Sequence, residues 1–193
     1  MALILASSSS IRRSMLRAAG VEHQAIASAV DEGSVKAKRS DPRELAAELA
    51  EAKAVSVSRT SSEPWVIGGD SVISVDGRLF DKPGDRQAAA EHLRAFSGKT
   101  MTLTSAVALA RNGAVDWTHC ESAVLSVREL SDAFIDSYLE AEWPEVGYCV
   151  GVFRLEGRGI QLFDRIDGDY FTILGMPLLP LLNALRERGA IPK

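Results

Sequence analysis

Trp65–Pro83, WVIGGDSVISVDGRLFDKP, decides how the chain is read. Trp65-Val66-Ile67 has the apolar character of a buried strand, and Val72-Ile73-Ser74-Val75 that of a second. Asp76-Gly77 has the composition of a tight hairpin turn. Between the two runs, Gly68-Gly69 stands directly before Asp70. A carboxylate within or at the end of a buried strand is costly unless it is paired or bound to a metal. Two glycines beside it remove side chains, so another backbone or a ligand can come close. A carboxylate, bare backbone and Lys82 on one hairpin compose a site for a metal-bound phosphate. A structural Asp70 paired with Lys82 satisfies the same residues, and both readings stand at this point.

Upstream, Leu3-Ile4-Leu5-Ala6 reads as a buried strand and Ile11 to Ala19 as a helix ending at Gly20. Ser7-Ser8-Ser9-Ser10 fills the junction. Hydroxyls and unpaired N–H groups at the positive end of a helix make an anion site. Arg12 and Arg13 sit in the first turn, where the helix dipole would prefer acids. The alternative is N-capping by one serine with both arginines solvated; because that needs neither four serines nor two arginines, phosphate binding is the favoured reading of the junction. Val21 to Ala29 has strand character. Asp31 and Glu32 then read as part of a polar loop, and Ser34 to Ser40 as a basic connection.

Asp41-Pro42-Arg43-Glu44 is a helix start with a cap, a proline at the first helical position and an acid three residues after the cap. This helix runs to about Val57. Lys53 follows Leu49 by four residues and Leu45 by eight, which puts it close to the inward face. It either snorkels to the rim or points into a pocket to meet an anion.

Downstream, the pattern predicts a helix over Arg86–Phe96, a strand over Met101–Ala110, a turn at Asn112-Gly113 and a strand over Ala114–Val127. Ser131 caps a helix over Asp132–Ala141, which Trp143-Pro144 ends. Gly147–Gly159 is a glycine-rich loop with Arg154, Glu156 and Arg158. Ile160–Ile166 and Tyr170–Leu174 read as strands, and a last helix follows Gly175-Met176-Pro177 through Arg188. No long linker or repeat interrupts the chain. One α/β domain over residues 1–193 is expected.

Bulk properties narrow the function. A net charge of -4 argues against a general nucleic-acid or anionic-membrane binder, though not against a local basic pocket. Cys120 and Cys149 form neither a disulfide framework nor a metal spacing, which fits a reducing cytoplasm. His23, His92 and His119 are scattered, so no zinc motif is formed. The opening MALILASSSS lacks a basic segment and reads as a strand rather than a signal peptide. No apolar run reaches the roughly 18 residues a membrane span needs.

In order, LILASSSSIRR, Asp31-Glu32, AEAKA, IGGDSV, DKP, FSGKT, VFRLEGRGI and DGDYFTILGMPL resemble the Maf family, nucleotide pyrophosphatases also described as septum-formation inhibitors. The match covers nearly the whole chain. The resemblance implies an α/β fold with a mixed central sheet, flanking helices and two lobes around a cleft. It also implies hydrolysis of a nucleoside triphosphate to the monophosphate and pyrophosphate with a divalent metal, Mg2+ or Mn2+. Position by position, it implies that Ser7, Ser9, Arg12, Lys53 and Lys82 bind phosphate. It implies that Asp70 is the catalytic base and that Glu32 and Asp70 hold the metal. A homodimer is implied by the resemblance alone.

Three positions separate the family's branches: here Ile11, Ser71 and Glu156. The branch resembling pyrimidine-triphosphate pyrophosphatases has arginine, threonine and glutamine there. The branch resembling 7-methyl-GTP pyrophosphatases has tryptophan, glutamine and glutamate. Glu156 sides with the second, because an acceptor-only carboxylate can take two donors from a guanine edge. Ile11 departs from it, lacking a ring to stack on a cationic base. Ser71 matches neither. Val150 and Val152 replace small residues of the family's loop. The expectation is a pyrophosphatase leaning to a purine or a modified base. The alternative is a nucleotide-binding regulator of septum formation without significant catalysis.

Overall fold

The computed structural model describes residues 3–37, 40–61 and 65–193. The chain divides into two compact units. The first holds Met1–Ser71, Thr104–Glu121 and Asp169–Lys193, and the second Val72–Leu103 and Ser122–Gly168.

The elements follow from local chemistry. Strand β1 (Leu3–Ala6) is buried at all four residues. Helix α1 (Ser10–Ala18) starts at Ser9, whose hydroxyl accepts the Arg12 N–H, and stops before Gly20 at φ 70°. Strand β2 covers only His23–Ala25, because its partner β1 is short: Leu3 pairs with His23 and Leu5 with Ala25, in parallel. The strand expected over Val21–Ala29 is shortened accordingly. Asp31 caps helix α2 (Glu32–Lys36) through the Gly33 and Ser34 N–H groups, which corrects the loop expected there. Of the basic connection, Lys38 and Arg39 lie outside the described residues. Helix α3 (Pro42–Ser58) is capped by Asp41 as its sequence requires.

Strand β3 (Trp65–Val75) is one continuous strand through the glycines. Asp76 and Gly77, both at positive φ, turn it into β4 (Arg78–Phe80). Helix α4 (Arg86–Phe96), strand β5 (Thr100–Arg111), a turn at Asn112-Gly113, strand β6 (Ala114–Val127) and helix α5 (Asp132–Glu142) lie where expected. Two further regions correct the sequence reading. Arg158–Leu162 is a 3-10 turn, so strand β7 begins at Phe163 and ends at Asp167, opposite Val127 to Val124 of β6. Tyr170–Ile173 is a short helix, α6, not a strand. Asp169 caps it by accepting the Thr172 N–H, and this local bond outweighs the β-propensity of an aromatic and β-branched run. Helix α7 (Leu178–Glu187) closes the chain.

In the first unit the strand order is β2-β1-β3-β5-β6, with β1 parallel to both neighbours. In the second, β4 runs antiparallel to β3 and β7 antiparallel to β6. The sheet is therefore mixed. In the first unit, Leu3, Leu5, Trp65 and Ile67 pack with Leu16 of α1 and Leu181 of α7. Helix α3 buries Leu45, Leu49, Ala50 and Ala54. These two faces follow from the period-2 alternation of strands.

Candidate active site

The parallel pairing of β1 with β3 ends at Ala6 opposite Gly68, and β3 runs on. Asp70 and Ser71 therefore lie beyond the carboxyl end of β1, where open α/β sheets bind ligands. The two glycines act differently. A Cβ on Gly68 would stand 2.1 Å from the Ala50 carbonyl oxygen and 2.7 Å from the Ala54 nitrogen, so Gly68 admits the backbone of α3. A Cβ on Gly69 would stand 3.3 Å from Arg12 Nε, so Gly69 admits a side chain of α1. Alternation then sends Asp70 toward α3 and Ser71 toward Arg12.

On the α3 side, Lys53 Nζ lies 2.5 Å from Asp70 Oδ1 and 2.6 Å from Glu32 Oε1. Lys53 and Asp70 are buried, 9% and 8% exposed, while Glu32 is half-exposed at the start of α2. Lys53 thus points inward rather than snorkelling. The partner of Asp70 is a lysine from the preceding helix. Lys36 Nζ stands 3.7 Å from Glu32 Oε2, so two ammonium groups meet the two carboxylates. A buried ion pair of this kind is weak evidence for stability, since desolvation offsets the attraction.

On the α1 side, Arg12 is half-buried. Its Nε donates to the Gly175 carbonyl at 2.8 Å, its Nη2 to Ser71 Oγ at 3.0 Å and its Nη1 to Ser7 Oγ at 3.5 Å. Burial lowers the guanidinium pKa from its ordinary value, and Asp70 and then Glu32 oppose that shift. Arginine keeps its charge under such shifts. Ser7 Oγ also accepts the Ser9 N–H at 3.2 Å, which folds the serine loop over the start of α1. The dipole of that helix and the charge of Arg12 converge on the loop.

Of the expected site residues, Ser7, Ser9, Arg12, Glu32, Lys53, Asp70 and Ser71 belong to the first unit. Ile11 belongs there too, but it lines an apolar groove of about 440 Å³ with Met15, Phe171, Leu174 and Leu182. Lys82 and Glu156 belong to the second unit. Lys82 follows β4 and is exposed, and Glu156 accepts from Arg154 Nε at 3.4 Å. The sequence reading missed Ser105, Thr172 and the Gly175 carbonyl, which bond to Ser71 or Arg12 directly or through one hydroxyl. Thr172 and Gly175 lie within the DGDYFTILGMPL stretch, and the signal for Ser105 was a Thr104-Ser105 pair inside the apolar run of β5.

Residues 2–188 match the family model described as Maf-like protein. The 7-methyl-GTP pyrophosphatase of Rhizobium meliloti (strain 1021) is 49% identical over 193 residues, covering 98% of this chain and 97% of the relative. The nucleoside triphosphate pyrophosphatase of Sphingopyxis alaskensis is 46% identical over 198 residues, covering 100% of both. Among solved structures, a nucleoside-triphosphatase / dITP/XTP pyrophosphatase from Mycobacterium abscessus is similar at a TM-score of 0.42 and 17% identity. It covers 67% of this chain and 76% of that one. With a family match over nearly its whole length and full-length relatives at this identity, the chain belongs to the Maf-like protein family.

Proposed function

We propose that the protein hydrolyses a nucleoside triphosphate to the monophosphate and pyrophosphate, with a preference leaning to a purine or modified base. The observation that carries this reading is the buried Lys53 ammonium between Asp70 and Glu32, in the same unit as the serine loop and the anchored Arg12. Full-length relatives named as 7-methyl-GTP and nucleoside triphosphate pyrophosphatases support it.

Hydrolysis needs the negative charge of the polyphosphate screened before an oxygen can approach phosphorus. Arg12, Lys53 and the amino end of α1 supply that screening. Water forms the new P–O bond, the bond between the α- and β-phosphoryl groups breaks, and pyrophosphate leaves with the electron pair. Asp70 takes the proton of the water. Its Oδ1 is held by Lys53, so Oδ2 is the oxygen that accepts it. Lys53 fixes the base and offsets its charge.

Glu32 and Asp70 also suit a divalent cation, Mg2+ or Mn2+. They are hard oxygen donors from two elements, brought together on one ammonium. Among the described residues no group of three or more His, Cys, Asp or Glu could hold a metal. Magnesium sites in nucleotide enzymes commonly use one or two carboxylates and complete the shell with water and phosphate oxygens. When bound, the ion would add charge screening at the phosphates.

The roles of Lys82 at a phosphate and of Glu156 at a guanine edge are parts of the proposal that rest on the resemblance, as does a homodimer. Among the described residues no helix is long and apolar enough to cross a membrane. A cytoplasmic location is proposed from the cysteine usage.

The test is a panel of UTP, dTTP, CTP, GTP, 7-methyl-GTP and ITP with Mg2+ or Mn2+, read by pyrophosphate release for wild type and Asp70→Asn. Release by wild type, with a loss of about 10²-fold or more in a folded Asp70→Asn, supports the reading. Binding without turnover by either protein replaces it with a nucleotide-binding regulator. Faster turnover of UTP and dTTP than of any guanine nucleotide removes the purine assignment and the role of Glu156.

A further inference from the structure

Ser71 is one of the three positions that separate the family's branches, yet its hydroxyl is fully engaged inside the protein. Ser71 Oγ lies 2.8 Å from Ser105 Oγ, 3.0 Å from Arg12 Nη2 and 3.3 Å from the Gly175 carbonyl. Ser105 Oγ lies 2.7 Å from the Thr172 carbonyl and is 0% exposed. A serine hydroxyl has one proton to give, and a carbonyl can only accept. At the buried end, Ser105 must therefore donate to Thr172. The 2.8 Å contact is then Ser71 donating to Ser105. Ser71 has no proton left for Gly175, and its oxygen accepts from Arg12 Nη2. The direction of the whole chain, Arg12 to Ser71 to Ser105 to Thr172, is set at its inner end.

That inner end is held from other sides. The Thr172 N–H donates to Asp169 at 2.9 Å and its hydroxyl to Glu121 at 2.8 Å. The Thr172 side is fully buried. Arg12 has five N–H donors in one plane. Gly175 and Ser71 hold Nε and Nη2, while the contact of Nη1 with Ser7 is long, at 3.5 Å. The anchored edge fixes the plane, and Nη1 is the nitrogen turned to Ser7 of the serine loop.

We infer that Ser105 is a positioning residue: it orients the Ser71 hydroxyl, and through it aims Arg12 at the phosphate-binding serine loop. On this assignment Ser71 serves the phosphate end of the substrate and does not read the base. The inference rests on the proposed pyrophosphatase reading, and its test separates the two.

The experiment compares wild type, Ser105→Ala, Ser71→Ala, Arg12→Lys and the two serine variants combined with Arg12→Lys. It reads kcat and KM for the best nucleotide of the panel, the ranking of nucleotides, and calorimetric affinity for inorganic pyrophosphate. Losing the aim of a charged hydrogen-bond donor is expected to lower kcat/KM roughly tenfold in Ser105→Ala and in Ser71→Ala. Lysine cannot form the planar anchored fork, so in the Arg12→Lys background each serine change is expected to cost less than about twofold. The nucleotide ranking is expected to stay unchanged in Ser71→Ala. Equal losses in both backgrounds, or a changed ranking in Ser71→Ala, overturn the inference. If Ser105→Ala does not fold, the half-buried Ser71→Ala cycle with Arg12→Lys decides it alone. If wild type releases no pyrophosphate from any nucleotide, the pyrophosphatase reading falls. Affinity for inorganic pyrophosphate then tests the aim of Arg12 by the same cycle, and an affinity unmoved by either serine change overturns the inference.

Discussion

Gly68 and Ala50 meet backbone to backbone: a Cβ on Gly68 would stand 2.1 Å from the Ala50 carbonyl oxygen. Asp70 lies two residues along β3 on the same face, and Lys53 nearly one turn along α3. The contact that brings helix and strand together is therefore the one that closes the Lys53–Asp70 pair. Gly68→Ala meets backbone that cannot swing aside, and a loss of about 3 kcal/mol or more is expected. Gly69→Ala meets the Arg12 side chain at 3.3 Å. It is expected to change stability by less than about 1 kcal/mol while reducing pyrophosphate release, because Arg12 is the group that must give way. Urea unfolding and turnover on both variants check this, and the opposite ordering would contradict the assignment of the two glycines.

Breaking the buried pair from its two ends is expected to be unequal. Lys53→Met leaves the Asp70 carboxylate buried without its cation, at a cost of about 3–5 kcal/mol. Asp70→Asn leaves Lys53 with Glu32, which is partly solvated, and about 1 kcal/mol is expected. The double variant Lys53→Met with Asp70→Asn is expected to regain most of the stability and none of the activity. Equilibrium unfolding at fixed pH with pyrophosphate release measures both. A double variant no more stable than Lys53→Met would show that the pair is not coupled.

His92 introduces a pH dependence in the second unit. Its ring lies 5.2 Å edge-on to Phe80 and 5.9 Å from Phe96, and its buried Nδ1 has no hydrogen-bond partner. Burial and then Arg78 hold its pKa below the ordinary value, against weaker pulls from Glu91 and Asp81. The unfolded chain takes up a proton near pH 6.5 where the folded protein does not. The stability present above that pH is therefore lost as pH falls toward the folded pKa. His92→Leu is expected to flatten this limb, so that it overtakes wild type in acid. Thermal melts between about pH 5 and 8 measure it. Parallel curves for both proteins would assign the acid limb elsewhere.

Val152 is fully buried at φ 55°, a region in which a β-branched residue is strained, and its carbonyl accepts the Tyr138 hydroxyl at 3.0 Å. Shortening the side chain loses packing, about 2 kcal/mol for the whole group, but only glycine also releases about 1–2 kcal/mol of backbone strain. Val152→Gly is therefore expected to be at least as stable as Val152→Ala, a reversal of the usual order. Chemical denaturation of the two variants decides it.

Much of the fold was legible because its signals are closed within a few residues. Asp41 caps α3 through N–H groups two and three positions on. Asp76-Gly77 and Asn112-Gly113 carry the positive φ that their turns require. Where the reading failed, the deciding atom was unrecognised or distant. Tyr170–Ile173 looks like a strand by composition, but Asp169 caps it and Ser105 of β5 takes the Thr172 carbonyl. Glu32 reads as a loop residue by composition, but Asp31 accepts from the Gly33 and Ser34 N–H groups and starts a helix there.

The sequence by itself determined which groups the site has: a carboxylate beside two glycines, a lysine close to the inward face of a helix, and serines and an arginine at a helix start. Residue type, period and capping are local, so a linear reading reaches them. Only the tertiary structure decided the pairing: Asp70 with Lys53 across Gly68, and Arg12 with Gly175 and Ser71 across Gly69. Those partners come from separate elements, and contact between them is fixed by packing rather than by spacing along the chain.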